Sequence, residues 1–169
     1  MRVQILGTGQ LLELQRRLRA AGNENIRASM QRRVRRAAEP LQGALQDSIR
    51  HLDLTSAGRK PGKRGGQSPT TRPLRATIAG AIRISVRNTG AGAGARVWID
   101  IDRLPNDITF GLLKQINEGK VRHPVFGNKS RWAQQNASPL WWDRTVRAHT
   151  PRMTREVERV VDDVRRRLN

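Results

Sequence analysis

Apolar positions along the chain recur with two periods. Val3 and Ile5 alternate with Arg2 and Gln4 and predict a short strand over 2–6. Leu11, Leu14, Leu18 and Ala21 then recur at helical spacing, so 9–21 reads as an amphipathic helix, opened by Thr8 and ended by Gly22. The strongest pattern follows. Ile26, Met30, Val34, Ala37, Leu41, Leu45, Ile49 and Leu52 form one stripe in steps of three or four. It predicts a helix from Glu24 to Leu52, capped by Asn23 and roughly 40 Å long at ~1.5 Å per residue. Pro40 lies inside it. The stripe keeps its phase across the proline, which predicts a kink and not a break.

Residues 55–73 hold four glycines, three prolines and five basic residues, and nothing that packs. They predict a flexible arm, disordered in an isolated subunit. Leu74–Ala81 reads as a short helix. Ile82, Ile84 and Val86 alternate with Arg83, Ser85 and Arg87, and Val97, Ile99 and Ile101 alternate with Trp98, Asp100 and Asp102. These two runs predict a hairpin with a glycine-rich tip. Placing Ile84 opposite Ile99 sets Arg83 against Asp100. It also sets Arg87 against Arg96, which is unfavourable unless the two diverge or meet an anion. After a turn at 104–107, Ile108, Leu112, Leu113 and Ile116 predict a helix ending at Gly119. Residues 120–137 read as a loop. A helix starts at Ser138 and is interrupted by Pro151; a last one carries Met153, Val157, Val160, Val161, Val164 and Leu168. The expected fold is a single α+β domain. A long kinked helix and a C-terminal helix pack on one face of a small antiparallel or mixed sheet of strands 2–6, 82–88 and 96–102. A basic arm at 55–73 and an aromatic-containing loop at 120–137 extend from it.

Composition sharpens this picture. The 169 residues are 36% hydrophobic and 4% aromatic, a thin core that suits burial against other subunits. Cysteine is absent, which excludes a disulfide framework, a thiolate nucleophile and a Cys-ligated metal. No apolar run is long enough to span a membrane, and the first residues lack the apolar stretch of a signal peptide. The expected setting is a cytoplasm, or an assembly built there. Net charge is +19, from 33 Lys+Arg against 14 Asp+Glu. Arginine supplies 28 of the cations, in keeping with a GC-rich coding sequence. The distribution says more. Residues 54–99 hold nine basic residues and no acidic one, about half of the excess in a quarter of the chain.

Little in the sequence points to catalysis. His51, His123 and His149 lie in different segments without metal spacing, and His51 and His149 read as surface residues. Asp100 and Asp102 share a strand face, for which an Arg-paired surface is the simpler account than a metal or acid–base site. No phosphate-binding loop, nucleophile elbow or zinc pattern appears. No catalytic residue, metal ligand or cofactor is assigned, and no small-molecule substrate is expected. The basic arm carries Arg59, Lys60, Lys63, Arg64, Arg72 and Arg75. These can meet an acidic protein surface or DNA phosphates; without interleaved aromatics, any DNA contact is independent of sequence. The segment 120–135 supplies Phe126 and Trp132 as apolar anchors, and three of the four tryptophans fall within 132–142. Such aromatics serve either as a satellite core or as a subunit contact.

Ala37-Ala38-Glu39-Pro40-Leu41 in the long helix, the basic loop, Leu74-Arg75 and the block His123-Pro124-Val125-Phe126-Gly127-Asn128, followed by Trp132, Gln135 and Pro139, come in a telling order. That order resembles the tail-completion, or head-to-tail joining, proteins of long-tailed double-stranded-DNA bacteriophages. The resemblance spans nearly the whole chain. It implies a non-enzymatic α+β virion subunit at the head–tail junction, in a ring that is a hexamer, between the neck or stopper and the tail terminator or tail tube. It also implies that positions 123–128 and Trp132 belong to the signature. A tail terminator of the same assembly and a non-specific nucleic-acid binding protein are the alternatives.

Overall fold

The structure, a computed structural model, describes residues 1–6, 9–20, 22, 24–56, 73–87, 94–125 and 128–168. The architecture is α+β. In chain order the elements are β1 (Arg2–Leu6), α1 (Gly9–Ala20), α2 (Glu24–Arg50), β2 (Leu54–Ser56), α3 (Leu74–Gly80), β3 (Ile82–Arg87), β4 (Gly94–Ile99), α4 (Phe110–Glu118), β5 (Lys120–Val125), β6 (Asn128–Ala137) and α5 (Trp141–Leu168). A 3-10 turn over Ile101–Arg103 follows β4. Two antiparallel sheets result, with strand orders β1-β4-β3 and β2-β6-β5.

The core sits between the first sheet and the two long helices. Helix α2 buries Met30, Val34, Ala38, Leu41, Leu45 and Ile49, one side of a cylinder at steps of three and four. Against it lie Ile82, Ile84, Val97 and Ile99 from the sheet and Met153, Val157, Val160, Val161 and Val164 from α5. Arg35 Nη1 and Gln42 Nε2 on α2 donate to the carbonyls of Ile84 and Ile82, at 3.2 and 2.7 Å. These bonds satisfy backbone groups of the edge strand β3 and blunt it against strand addition. Arg33 of α2 and Asp163 of α5 form an ion pair across the helices.

Four expectations are corrected. Pro151 does not interrupt the last helix; α5 is continuous from Trp141 to Leu168. Its buried positions Trp142, Met153, Val157, Val160 and Val164 stay in phase across the proline, as those of α2 do across Pro40. Packing therefore outweighs the lost backbone bond at both prolines. Second, the hairpin register differs by two residues. Ile84 faces Val97 and Ile82 faces Ile99, so Arg83 meets Trp98, not Asp100, and Arg87 meets Gly94, not Arg96. A shift of two keeps every side chain on its expected face. The ladder continues past the strands at the end away from the tip, where Asp100 N donates to Ala81 O at 2.8 Å in the same register. Strand β4 also ends at Ile99, leaving Ile101 and Asp102 in the 3-10 turn. Third, residues 120–137 are no loop: β5 and β6 pair as a hairpin. Fourth, the basic arm is shorter than expected, because Leu54–Ser56 is a strand on β6 and Pro73 is the N-cap residue of α3. Residues 57–72 lie outside the described residues, as do Thr8, Asn23 and the hairpin tip at 88–93.

Candidate functional site

His123, Pro124, Asn128 and Trp132 lie on the second sheet. Gly119 closes α4 with φ at 85°, a left-handed conformation that suits glycine. A Cβ there would stand 2.9 Å from the Ala137 carbonyl oxygen and 3.0 Å from Pro139 Cβ. The chain thus turns directly from helix into β5, while Ala137 N donates to Gly119 O at 2.9 Å and returns β6 to the same point. Asn117 fastens this corner to the last helix. Its Nδ2 donates to Asp143 at 2.7 Å and its Oδ1 accepts from Trp142 N at 3.1 Å, which caps the start of α5.

From that anchor the ribbon of β5, β6 and β2 extends. Pro124, which has no N–H to give, lies in the edge strand β5 beside a register irregularity. It stands opposite Trp132. Lys120, Arg122, Trp132, Gln134 and Asn136 are exposed on the outer face. Trp132 is 47% exposed, the Arg122 guanidinium sits 4.9 Å from its ring centroid, and its Nε1 donates to Lys129 O at 2.8 Å. The ring is therefore held at the surface by a cation and a backbone bond rather than by a core. His123 lies on the other face, half-buried, with Nδ1 3.2 Å from Pro124 O. Phe126 and Gly127 lie outside the described residues, and Asn128 begins β6. Of the tryptophan cluster, Trp141 and Trp142 belong to the core, edge to face at 5.7 Å, while Trp132 does not. The aromatic segment therefore supplies both a satellite core and an exposed anchor.

Of the basic arm, Arg59, Lys60, Lys63, Arg64 and Arg72 lie outside the described residues. Arg75 is placed: its Nη1 donates to Leu52 O at 2.7 Å and ties α3 to the end of α2. Arg75 and His123 line one cavity of about 480 Å³, with Leu54, Leu74, Ile108, Leu112 and Val121. Its walls are mostly apolar, and the two residues named for different surfaces converge there.

A second concavity, of about 690 Å³, runs between α2 and α5. Five arginines line it: Arg33, Arg36, Arg152, Arg159 and Arg166. Carboxylates answer most of them. Asp163 takes Arg33 and Arg166, and Glu156 takes Arg159 at 2.8 Å. The hydrogen bonds from Arg33 and then Arg166 hold the Asp163 carboxyl below the ordinary aspartate range. His149, expected as a plain surface residue, is half-buried in this groove and bonded through Nδ1 to Thr145 O at 2.9 Å. His51 is exposed, as expected.

Asp100 and Asp102 do not form a paired site. Asp100 bonds Arg103 at 3.3 Å, and Asp102 is exposed on the 3-10 turn. Among the described residues no cluster of three or more acidic or histidine side chains is placed to hold a metal ion, and no helix is long and apolar enough to cross a membrane. No protein-family model, curated protein or solved structure matches the chain.

Sequence reasoning did not single out one further set. Arg2, Arg83, Arg87 and Arg96 share the outer face of the first sheet with Trp98. The signal was present, as the alternation of Arg with Ile in 82–87 and the unfavourable Arg87–Arg96 approach.

Proposed function

We propose that this chain is a structural, non-enzymatic virion protein that joins the head connector of a long-tailed phage to its tail. It forms a ring of identical subunits, a hexamer, between the neck or stopper and the tail terminator or tail tube. The observation that carries the reading is the placement of the signature residues. His123, Pro124, Asn128 and Trp132 are scattered over ten residues of sequence, yet all belong to one exposed hairpin, with Pro124 directly across from Trp132. An exposed tryptophan braced by an arginine is the kind of anchor that interfaces favour. The ribbon gains little from burying its own side chains, so a neighbouring subunit is the natural cover for its outer face. The virion, with assembly in the host cytoplasm, is the corresponding location.

Electron microscopy and mass measurement of the purified protein and of virions test this. Rings, and the chain's presence at the head–tail junction, are expected. A monomer at every concentration that is also absent from purified virions would contradict it. The acid-free face of the first sheet favours nucleic-acid contact as a second property of the same subunit.

A further inference from the structure

On the outer face of the β1-β4-β3 sheet, Arg83, Arg87 and Arg96 gather with no carboxylate paired to them among the described residues. The inner face, with Ile82, Ile84, Val97 and Ile99, is buried against the helices. The outer positions read differently, row by row. Arg2 and Arg83 flank Trp98 on either side, Ser85 pairs with Arg96 in the next row, and Arg87 pairs with Gly94 in the third. Strands lie about 4.8 Å apart and alternate residues about 6.8 Å apart along a strand, so Arg96 is a diagonal neighbour of the other three arginines. Like charges so placed repel. Burial, with the Arg2 and Arg87 charges, disfavours the Arg96 cation, and its Nε is buried without a hydrogen-bond partner. The Asp100 carboxylate just beyond β4 is engaged by Arg103. Arg83 and Arg87 are exposed and have no ion-pair or hydrogen-bond partner among the described residues. In the α2/α5 groove, by contrast, carboxylates sit among the arginines.

Among the described residues no carboxylate pairs with Arg83, Arg87 or Arg96, which leaves these cations open to a counter-charge from outside. We infer that the outer face of the β1-β4-β3 sheet, through Arg83, Arg87 and Arg96, binds the phosphate backbone of double-stranded DNA without regard to sequence. Guanidinium forks match phosphate oxygens in pairs. An acidic protein partner would be held by an apolar centre inside a polar rim, and among the described side chains of this face the large apolar group is a half-buried tryptophan. Single-strand binding relies on open aromatic faces for base stacking. The Trp98 ring is instead covered by Arg96, whose guanidinium carbon lies 4.7 Å from its centroid. The face therefore reads charge and not bases. This inference stands apart from the ring: a monomer would bind DNA by it equally well.

The test uses the full chain and a short random-sequence duplex, with binding followed by fluorescence anisotropy across a salt series. Wild type is expected to show a linear fall of log K with log salt. In the Arg83→Gln/Arg87→Gln variant the slope becomes shallower by about two, and affinity at low salt falls by roughly tenfold or more. Thermal melting confirms that the variant is folded. Should it fail to fold, Arg83→Gln alone decides, with a slope shallower by about one. A companion variant neutralises Arg59, Lys60, Lys63 and Arg64. If that variant loses the slope while Arg83→Gln/Arg87→Gln keeps it, the DNA contact belongs to the arm and the inference is overturned. Absence of duplex binding by wild type overturns it as well, as does preference for poly-glutamate or for a single strand over the duplex.

Discussion

The two sheets of this molecule are built on opposite principles. The β1-β4-β3 sheet has one face sealed by α2 and α5 with large aliphatic side chains, and its open face is cationic. The β2-β6-β5 ribbon contributes Val121 to the core, and most of its other described side chains are exposed or half-buried. Backbone pairing holds the ribbon, and the corner at Gly119 and Asn117 fixes it to the body. The first sheet is therefore stabilised from within and is free to display charge. The second is stabilised at its root. Stability and surface chemistry are separable in such a molecule, and each can be broken without the other.

The largest effect should come from the sealed face. Ile82→Ala, at a position 1% exposed, is expected to cost roughly 2–5 kcal/mol, whereas Gln134→Ala on the ribbon stays within about 0.5 kcal/mol. Urea denaturation of both variants reads this; equal losses would erase the distinction between the sheets. Next in size is the root of the ribbon. Gly119→Ala puts a Cβ against the Ala137 carbonyl in a left-handed residue, at a cost of roughly 1–3 kcal/mol. Hydrogen exchange should then rise in β5 and β6 before it rises in β3 and β4, and a uniform rise would contradict the anchoring role.

A third effect depends on pH. The Asp163 carboxyl is depressed by Arg33 and Arg166, so its stabilising contribution is complete above the ordinary aspartate pKa. That contribution is lost as pH falls through the ordinary value toward the depressed one. The gap in urea midpoint between wild type and Asp163→Asn should accordingly be present at neutral pH and close in acid. A gap that persists in acid would show that the carboxylate's charge is not what joins the helices. The smallest effect concerns the cationic face. Arg87→Gln relieves repulsion on Arg96 and should stabilise the free subunit by a few tenths, about 0.3 kcal/mol. A loss of stability in a thermal melt would mean that Arg87 is structurally compensated after all.

Legibility in the sequence followed the same division. The long helix, the hairpin strands and their faces were readable because burial on one side writes a period into the apolar residues. The ribbon was not, since its inner face carries His123, Ala133 and Gln135 beside Val121 and so writes no run of large apolar residues; Lys120–Ala137 pairs through its backbone. The prolines teach a narrower lesson. At Pro151, as at Pro40, phase outranks the proline: Met153, Val157, Val160 and Val164 continue the stripe of Trp142 and Val146. Apolar alternation sets which face each residue of the hairpin occupies but not the count between strands, which the ladder and its continuation from Asp100 N to Ala81 O show to be two residues from an Ile84–Ile99 pairing. Of the candidate site, Trp132 and His123 were legible as types. Their meeting on one hairpin, and the convergence of four arginines around Trp98, required the strand order β1-β4-β3, which no local pattern encodes.

The central claim is that the ribbon builds the assembly while the cationic sheet face meets nucleic acid. Native mass measurement of three proteins tests it most directly: wild type, Trp132→Ala and Arg83→Gln/Arg87→Gln. The account predicts rings for wild type and for the arginine variant, and subunits that fail to assemble for Trp132→Ala, with all three folded. Rings from Trp132→Ala at the wild-type concentration, or isolated subunits from the arginine variant, would contradict it.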